Sequence, residues 1–259
     1  MGRVDVHTHL LPGVDDGPAD MEAGLRMATL AGADGTEAIV ATPHQKDVVE
    51  ESSIAALRIL FERFSAAVAA TGGPRMVLGM ENHIEPELPE WVRDGNALTL
   101  NGSRFILCEP DAETYPLYMD DTLFRLQQQG LVPVIAHPER CFVFQKQPER
   151  LAALVRRGML VQITGSSLTG EFEAASRRAA ETFLKRGLVH MVASDMHRPD
   201  RVRLPYLAAA HARVAELAGA GIARRVFDEI PRCVVENRDP GVDPFAEPPP
   251  RRPWWRFGR

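Results

Sequence analysis

The sequence predicts an α/β fold in which seven parallel strands alternate with helices and close into a barrel. Three observations predict it. Short, nearly continuous apolar runs recur along the chain, as is typical of parallel strands covered on both faces. Helical patterns separate most of these runs, which indicates right-handed crossover connections. Polar side chains suited to metal binding follow six of the seven strands, which favours the mouth of a barrel over the single switch point of an open sheet.

The predicted strands are short apolar segments, of the length that is common in globular proteins. The seven are Arg3–Val6, Glu37–Ala41, Met76–Met80, Arg104–Cys108, Val132–Ala136, Met159–Ile163 and Val189–Ser194.

The predicted helices have capping residues at their ends and apolar side chains on one face. Asp20 is placed to cap the first helix, which ends before Gly35. The second helix stops at Gly72 and Gly73, residues that favour a helix end. The predicted helices are Met21–Ala33, Ser52–Ala70, Pro116–Gln129, Pro148–Arg157, Glu171–Arg186, Leu204–Ala218 and Gly221–Glu229, with an extra turn at Pro231–Glu236.

Composition fits one soluble globular domain, which we expect to occupy residues 1–239. The chain has 259 residues, of which 45% are hydrophobic and 25% charged. No apolar run approaches the ~18 residues of a membrane span, and we expect no signal peptide. Three widely spaced cysteines without a CxxC pair favour reduced thiols in a cytoplasm. The net charge of -5 argues against a nucleic-acid partner.

Residues 240–259 differ from the rest and are predicted to form a tail outside the barrel. The segment holds six prolines and ends in a mixture of arginine and aromatic residues, with Trp254, Trp255 and Phe257 among four arginines. Such a composition is typical of a segment that docks on an inner membrane surface or on a partner protein. A disordered, solubilising end is the alternative.

Five histidines and four carboxylates follow the predicted strands and are the candidate metal ligands. His7 and His9, spaced i and i+2 on extended chain, point to the same side and can share one ion. Glu81 and Glu109 would be costly at a barrel mouth without a cationic partner. The nine candidates are His7, His9, Asp16, His44, Glu81, Glu109, His137, Asp195 and His197. A cluster of two or three divalent ions, and hence a metallohydrolase, is the prediction.

The chemistry of these donors favours hydrolysis by an activated water. Imidazole and carboxylate without thiolate suit manganese, iron or zinc. Three divalent ions would bring six positive charges against the four carboxylates, and this surplus favours a phosphate dianion as the substrate. A metal-bridging hydroxide, available because coordination lowers the pKa of water to about 7, could attack its phosphorus in line. A thiol nucleophile is not expected, because Cys141 is followed by neither a glycine-rich loop nor an arginine at the sixth place.

Four segments resemble the polymerase-and-histidinol-phosphatase (PHP) superfamily. They are Asp-Val-His-Thr-His-Leu-Leu-Pro-Gly-Val-Asp-Asp-Gly-Pro, Ala-Thr-Pro-His, Ile-Ala-His-Pro-Glu-Arg and Val-Ala-Ser-Asp-Met-His. Within it the chain is similar, from about Arg3 to Glu236, to the bacterial manganese-dependent protein-tyrosine phosphatases of capsule and exopolysaccharide synthesis. The resemblance implies a distorted, TIM-like (β/α)7 barrel, three metal ions with manganese foremost, and dephosphorylation of phosphotyrosine on the tail of a cognate tyrosine kinase.

The resemblance also implies roles for individual residues. The nine candidates match its metal ligands, with Glu81 bridging, and Arg140 matches an arginine that contacts phosphate. A second arginine follows the last ligand histidine by five residues in the family, whereas Arg201 and Arg203 follow His197 by four and six. We take Arg203 as the match, with a one-residue insertion.

Two other functions stay open at this point. One is a small-molecule phosphatase of the histidinol-phosphate type, and turnover on that compound and on phosphotyrosyl peptides would separate the two enzymes. The other is a metal-binding regulatory subunit that has lost catalysis. The presence of all nine matched ligands argues against the regulatory subunit.

Overall fold

The structure, a computed structural model, describes residues 2–199, 204 and 206–241. In this part of the chain, strands and helices alternate as predicted, and every paired strand is parallel to its neighbour. The strands are β1 Arg3–Thr8, β2 Thr36–Ala41, β3 Arg75–Leu78, β4 Glu81–His83, β5 Phe105–Glu109, β6 Val132–Ala136, β7 Leu160–Thr164 and β8 Met191–Ala193.

The strands form two sheets, in the orders β1-β2-β3 and β4-β5-β6-β7-β8. Single parallel bridges join the two sheets at two places, one between Thr8 of β1 and Met196, the other between His44, which follows β2, and Glu81 of β4. The α/β class with parallel strands is therefore confirmed. The closure of all strands into one barrel stays a prediction.

The predicted strand Met76–Met80 is present as β3 but ends two residues earlier, at Leu78. The chain leaves the first sheet after β3 and enters the second sheet as β4, which the sequence did not predict. Gly79 lies at the change, where an added Cβ would sit 3.0 Å from the side chains of Leu100 and Val40. The missing side chain lets the backbone pass close to these residues as it changes sheets.

The predicted helices are present, with ends that differ by a few residues. Asp20 caps the first helix as predicted, because its side chain accepts a hydrogen bond of 2.9 Å from the Ala23 N–H. The helices are α1 Met21–Ala33, α2 Gln45–Glu51, α3 Ile54–Ala70, α4 Leu88–Arg93, α5 Met119–Gln128, α6 Phe142–Lys146, α7 Pro148–Arg156, α8 Gly165–Thr169, α9 Ala174–Lys185, α10 Ala208–Ala218, α11 Ala220–Arg224 and α12 Ile230–Val235. A π-helical stretch, Arg225–Glu229, joins the last two.

Buried apolar side chains lie in a central cluster and under the outer helices. The central cluster combines Val4 and Val40 of the first sheet with Leu107, Val134 and Ala193 of the second. The two sheets therefore share one core, with helices packed on their other faces. Among the described residues, no helix has both the length and the apolar character needed to cross a bilayer.

Candidate metal centre

The carboxyl ends of the strands bring all nine candidate ligands together. Each donor atom lies within 4.8 Å of the others in its group, and the groups share members. The groups are His9, Asp16, His44 and His197; His7, His9 and Asp195; His7, Glu81 and His137; and His44, Glu81 and Glu109. The predicted positions of these side chains thus agree with the structure. Their role as ligands remains an inference from donor chemistry.

Glu81 lies at the centre of the cluster and is 1% exposed. Its Oε2 atom is 3.1 Å from the Nε2 atoms of both His7 and His9 and 3.2 Å from Nδ1 of His44. Its Oε1 atom is 2.8 Å from Nε2 of His137. Burial alone would raise the pKa of Glu81, but the charge of His7 and the hydrogen bond from His137 hold it well below its usual value. Each oxygen of this carboxylate therefore faces at least one imidazole nitrogen.

Asp16 lies on the solvent-facing side of the cluster and contacts the buried His197. The Oδ1 atom of Asp16 is 3.0 Å from Nε2 of His197 and 3.7 Å from Nε2 of His44. The hydrogen bond from His197 lowers the pKa of Asp16, so this carboxyl is ionised at neutral pH. The His197 ring also stacks on His9, with ring centroids 4.1 Å apart.

Asp195 connects the imidazoles to Arg140. Its Oδ1 atom is 3.5 Å from Nε2 of His7, and its Oδ2 atom accepts a hydrogen bond from Arg140. Arg140 also donates to the Thr164 hydroxyl at 2.6 Å, and its guanidinium lies 4.6 Å above the Phe172 ring. Burial opposes the charge on Arg140, but Asp195 raises the pKa of the guanidinium. The structure therefore places Arg140 against the cluster, whereas Arg201 and Arg203 lie outside the described residues.

Two candidate ligands have a left-handed backbone. The φ angle is 30° at His137 and 52° at Asp195. Such angles are uncommon for residues with a side chain and are concentrated at functional sites. The strain supports a functional role for the ends of β6 and β8.

Three buried polar residues that the sequence did not single out support the candidate ligands. The Asp15 carboxylate accepts from His9 Nδ1 at 2.7 Å, and the Gln162 amide oxygen accepts from His7 Nδ1 at 2.9 Å. Asp5 accepts from the Ser194 N–H at 3.0 Å, and burial raises the pKa of Asp5 to about 6. The contacts of Asp15 and Gln162 fix which nitrogen of His9 and His7 faces the cluster. A polar residue inside a predicted apolar strand, such as Gln162, is the signal that could have found one of them.

Cys141 does not have the properties of a nucleophile. Its side chain is buried at 2% exposure, and burial raises the pKa of the thiol far above neutrality. A reactive cysteine needs the opposite, a lowered pKa and access to the substrate. The expectation of a mechanism without a thiol agrees with this geometry.

Divalent ions fit the donor set of this cluster. Five imidazoles and four carboxylates converge, and Glu81 and Asp195 are almost fully buried. Buried carboxylates in such number require cations close to them. Nitrogen and oxygen donors without thiolate suit manganese, iron or zinc.

The fold and the donor set together define a class, the α/β metal-dependent hydrolases with a cluster of imidazole and carboxylate ligands at the strand ends. Within that class, the chain belongs to the CpsB/CapC family of capsular polysaccharide synthesis, whose model matches residues 3–236. The family predicted from the sequence is confirmed.

Several curated proteins are similar to this chain. The tyrosine-protein phosphatase YwqE of Bacillus subtilis is 34% identical over 195 residues, which cover 75% of this chain and 77% of YwqE. The tyrosine-protein phosphatase CpsB of Streptococcus agalactiae serotype V is 29% identical over 243 residues, or 90% of this chain and 98% of CpsB.

Two solved structures are also similar to this chain. One chain, from the crystal structures of YwqE from Bacillus subtilis and CpsB from Streptococcus pneumoniae, described as unique metal-dependent tyrosine phosphatases, superposes with a TM-score of 0.88 at 28% identity and covers 95% of this chain and 98% of its own length. The phosphotriesterase homology protein from Escherichia coli superposes with a TM-score of 0.59 at 12% identity, covering 89% of this chain and 97% of its own. The second likeness shows the fold alone.

Proposed function

We propose that this protein is a metal-dependent protein-tyrosine phosphatase that hydrolyses phosphotyrosine on the tail of a tyrosine kinase controlling capsule or exopolysaccharide synthesis. The observation that carries the proposal is the convergence of nine candidate metal ligands, Glu81 among them, in one cluster with Arg140 against it. The named activities of the YwqE and CpsB relatives support it.

The nine candidate residues would hold three divalent ions, with manganese foremost and iron or zinc as alternatives. When bound, such ions lower the pKa of water and offset the charge on a phosphoryl group. The four carboxylates among the nine, Asp16, Glu81, Glu109 and Asp195, carry fewer negative charges than three divalent ions carry positive ones. A surplus of positive charge favours a phosphate dianion at this place.

The other residues of the site bind and orient. Arg140 donates hydrogen bonds to the phosphoryl oxygens in a planar, charge-assisted arrangement. Gln162 and Asp15 hold the rings of His7 and His9 so that their Nε2 atoms face the centre. Arg203 is a second phosphate contact in this proposal, on the basis of the sequence alone.

The proposal includes the arrangement of the whole chain. The two sheets together make a distorted, TIM-like barrel of the PHP type over residues 1–239, with the metal centre at its mouth. Residues 240–259 form a tail that docks on the kinase or on the inner membrane surface, in a cytoplasmic protein. The part of this tail from residue 242 onward lies outside the described residues.

Turnover measurements test the proposed function. With manganese, the protein should hydrolyse phosphotyrosyl peptides far faster than phosphoseryl peptides or histidinol phosphate. Chelation should abolish turnover, and added manganese should restore it. A preference for histidinol phosphate would favour the small-molecule phosphatase. No turnover of any phosphate ester by protein with measured metal content would favour the regulatory subunit.

A further inference from the structure

The Glu139 carboxylate has a buried position that the proposed chemistry does not use. Glu139 is 0% exposed, and its Oε1 atom accepts hydrogen bonds of 2.8 Å from both the Thr164 N–H and the Ser167 hydroxyl. Its Oε2 atom is buried without a hydrogen-bond partner among the described residues. A buried, partly satisfied carboxylate is costly for stability. A residue of this kind calls for a functional explanation.

The contacts of Glu139 lead to Arg140 through one residue. Thr164, the last residue of β7, donates its backbone N–H to Glu139 and accepts a hydrogen bond from Arg140 on its hydroxyl at 2.6 Å. Thr164 thus makes a hydrogen bond to Glu139 and another to Arg140. The negative charge of Glu139 also favours the charged guanidinium next to it, although burial and Asp195 affect its pKa more.

The backbone at this place needs such an anchor. His137, with a φ angle of 30°, leads directly into the 3-10 turn Pro138–Arg140. Strained backbone persists only where the surroundings determine it strongly. The two hydrogen bonds of Glu139 attach the turn to the end of β7 and the start of α8, so that the turn cannot rotate freely about His137.

We propose that Glu139 is a positioning residue that holds Arg140 in its phosphate-binding orientation by way of Thr164. The inference rests on the proposed function, because it assumes that Arg140 contacts the phosphoryl group. Among the described residues, the Glu139 side chain makes its hydrogen bonds to Thr164 and Ser167 and none to a candidate metal ligand.

A double-mutant cycle tests whether Glu139 acts through Arg140. Glu139→Ala in the wild-type background should lower kcat/KM on a phosphotyrosyl peptide about tenfold, mainly through a higher KM, with the manganese content unchanged. In the Arg140→Ala background the same substitution should change kcat/KM less than about twofold, because the group it positions is already gone. Equal losses in the two backgrounds, or a loss of manganese, would overturn the proposal.

Variants that keep the turn folded make the test independent of stability. Glu139→Gln retains an oxygen that can accept both hydrogen bonds and should stay within about threefold of wild type. Ser167→Ala removes the hydroxyl that donates to Glu139 and should raise KM, as Glu139→Ala does, but by less. Its matched control is Ser166→Ala, because the Ser166 hydroxyl is buried on the same short helix and makes no described hydrogen bond. Equal KM values for Ser167→Ala and Ser166→Ala would contradict the proposal.

A binding measurement separates this inference from the proposed function. The same cycle is measured as the Kd of inorganic phosphate for the manganese-loaded protein by calorimetry, which requires no turnover. The inference would be supported if Glu139→Ala weakened phosphate binding in the wild-type background but changed it little in the Arg140→Ala background. This holds even if wild type hydrolysed no phosphotyrosine. Unchanged phosphate binding in Glu139→Ala would overturn it even if wild type were an active phosphatase.

Discussion

Replacing Gln162 by leucine should weaken metal binding without removing any candidate ligand. Gln162 is 0% exposed within β7, and its amide oxygen accepts from His7 Nδ1 at 2.9 Å. This contact turns Nε2 of His7 towards Glu81, at 3.1 Å. Leucine has a similar volume but cannot accept a hydrogen bond, so the His7 N–H would be buried and unpaired.

The magnitude follows from the unpaired group. An unsatisfied buried donor costs about 1–3 kcal/mol, and hydrogen-bond partners of metal ligands typically contribute 10–100-fold to metal affinity. We expect the Kd for manganese of Gln162→Leu to rise by roughly that factor. Gln162→Glu is the control, because a carboxylate still accepts from His7 and should keep the Kd near the wild-type value.

Competition with a chelator, followed by measurement of bound manganese, gives both Kd values. The melting temperature of the chelated proteins shows whether leucine has damaged the fold instead. If Gln162→Leu bound manganese as tightly as wild type, the hydrogen bond from His7 to Gln162 would make no contribution to metal affinity. If Gln162→Glu and Gln162→Leu were equally weak, the packing of β7 and not the hydrogen bond would be responsible.

Four further substitutions test other parts of the site and fold. Glu81→Ala should lose metal, measured by mass spectrometry, and lower phosphatase activity by orders of magnitude, because four imidazole contacts meet on this carboxylate. Arg140→Ala should keep its metal but lower kcat/KM by roughly two orders of magnitude, about 2.7 kcal/mol, in steady-state assays. Cys141→Ser should retain nearly full turnover, since the thiol is buried and protonated; a large loss would return a thiol mechanism to consideration. His190→Asn should remove a pH dependence of stability: burial lowers the pKa of His190 from 6.5 to about 4, so its contribution of about 3 kcal/mol is present above pH 6.5 and lost as pH falls towards 4. The free energy of unfolding in urea is measured for chelated wild type and chelated His190→Asn from pH 7 to pH 4.5. If it changed with pH equally in the two proteins, this assignment would be wrong.

The fold class could be predicted from local patterns, but the division into two sheets could not. Apolar runs and caps mark the strands and helices because burial and capping depend on neighbouring residues. The segment from Met76 to Met80 is apolar throughout, so its periodicity contains no sign that the chain changes sheets at Gly79. That change depends on the side chains of Leu100 and Val40, which come close only in the folded protein.

The candidate ligands could be predicted because parallel strands carry their functional residues at one end. Their hydrogen-bond partners could not, since these contacts join distant parts of the sequence. His7 and Gln162 are 155 residues apart, and Thr164 is 25 residues from Glu139. Asp15 is closer, six residues from His9, but it stands beside Asp16, and the sequence alone did not separate their roles.

The candidate metal centre lies where the two sheets meet, and this relates metal binding to the stability of the fold. At one junction the His7 carbonyl accepts from the Asp195 N–H at 2.9 Å, and the His9 N–H donates to the Met196 carbonyl at 2.9 Å. At the other junction, the bridge joins His44 to Glu81.

Each junction between the sheets thus carries candidate ligands from both of its sides. An ion held by His7 and Asp195, or by His44 and Glu81, would add a further connection between the two sheets at these places. Because a ligand that binds only the folded state stabilises it, cations bound here would stabilise the packing of the two sheets as well as the reaction site. Gln162 and Asp15 have a complementary role, because their hydrogen bonds orient the rings of His7 and His9. The strand ends thus determine where these ligands lie, and their hydrogen-bond partners determine which ring nitrogen faces the cluster.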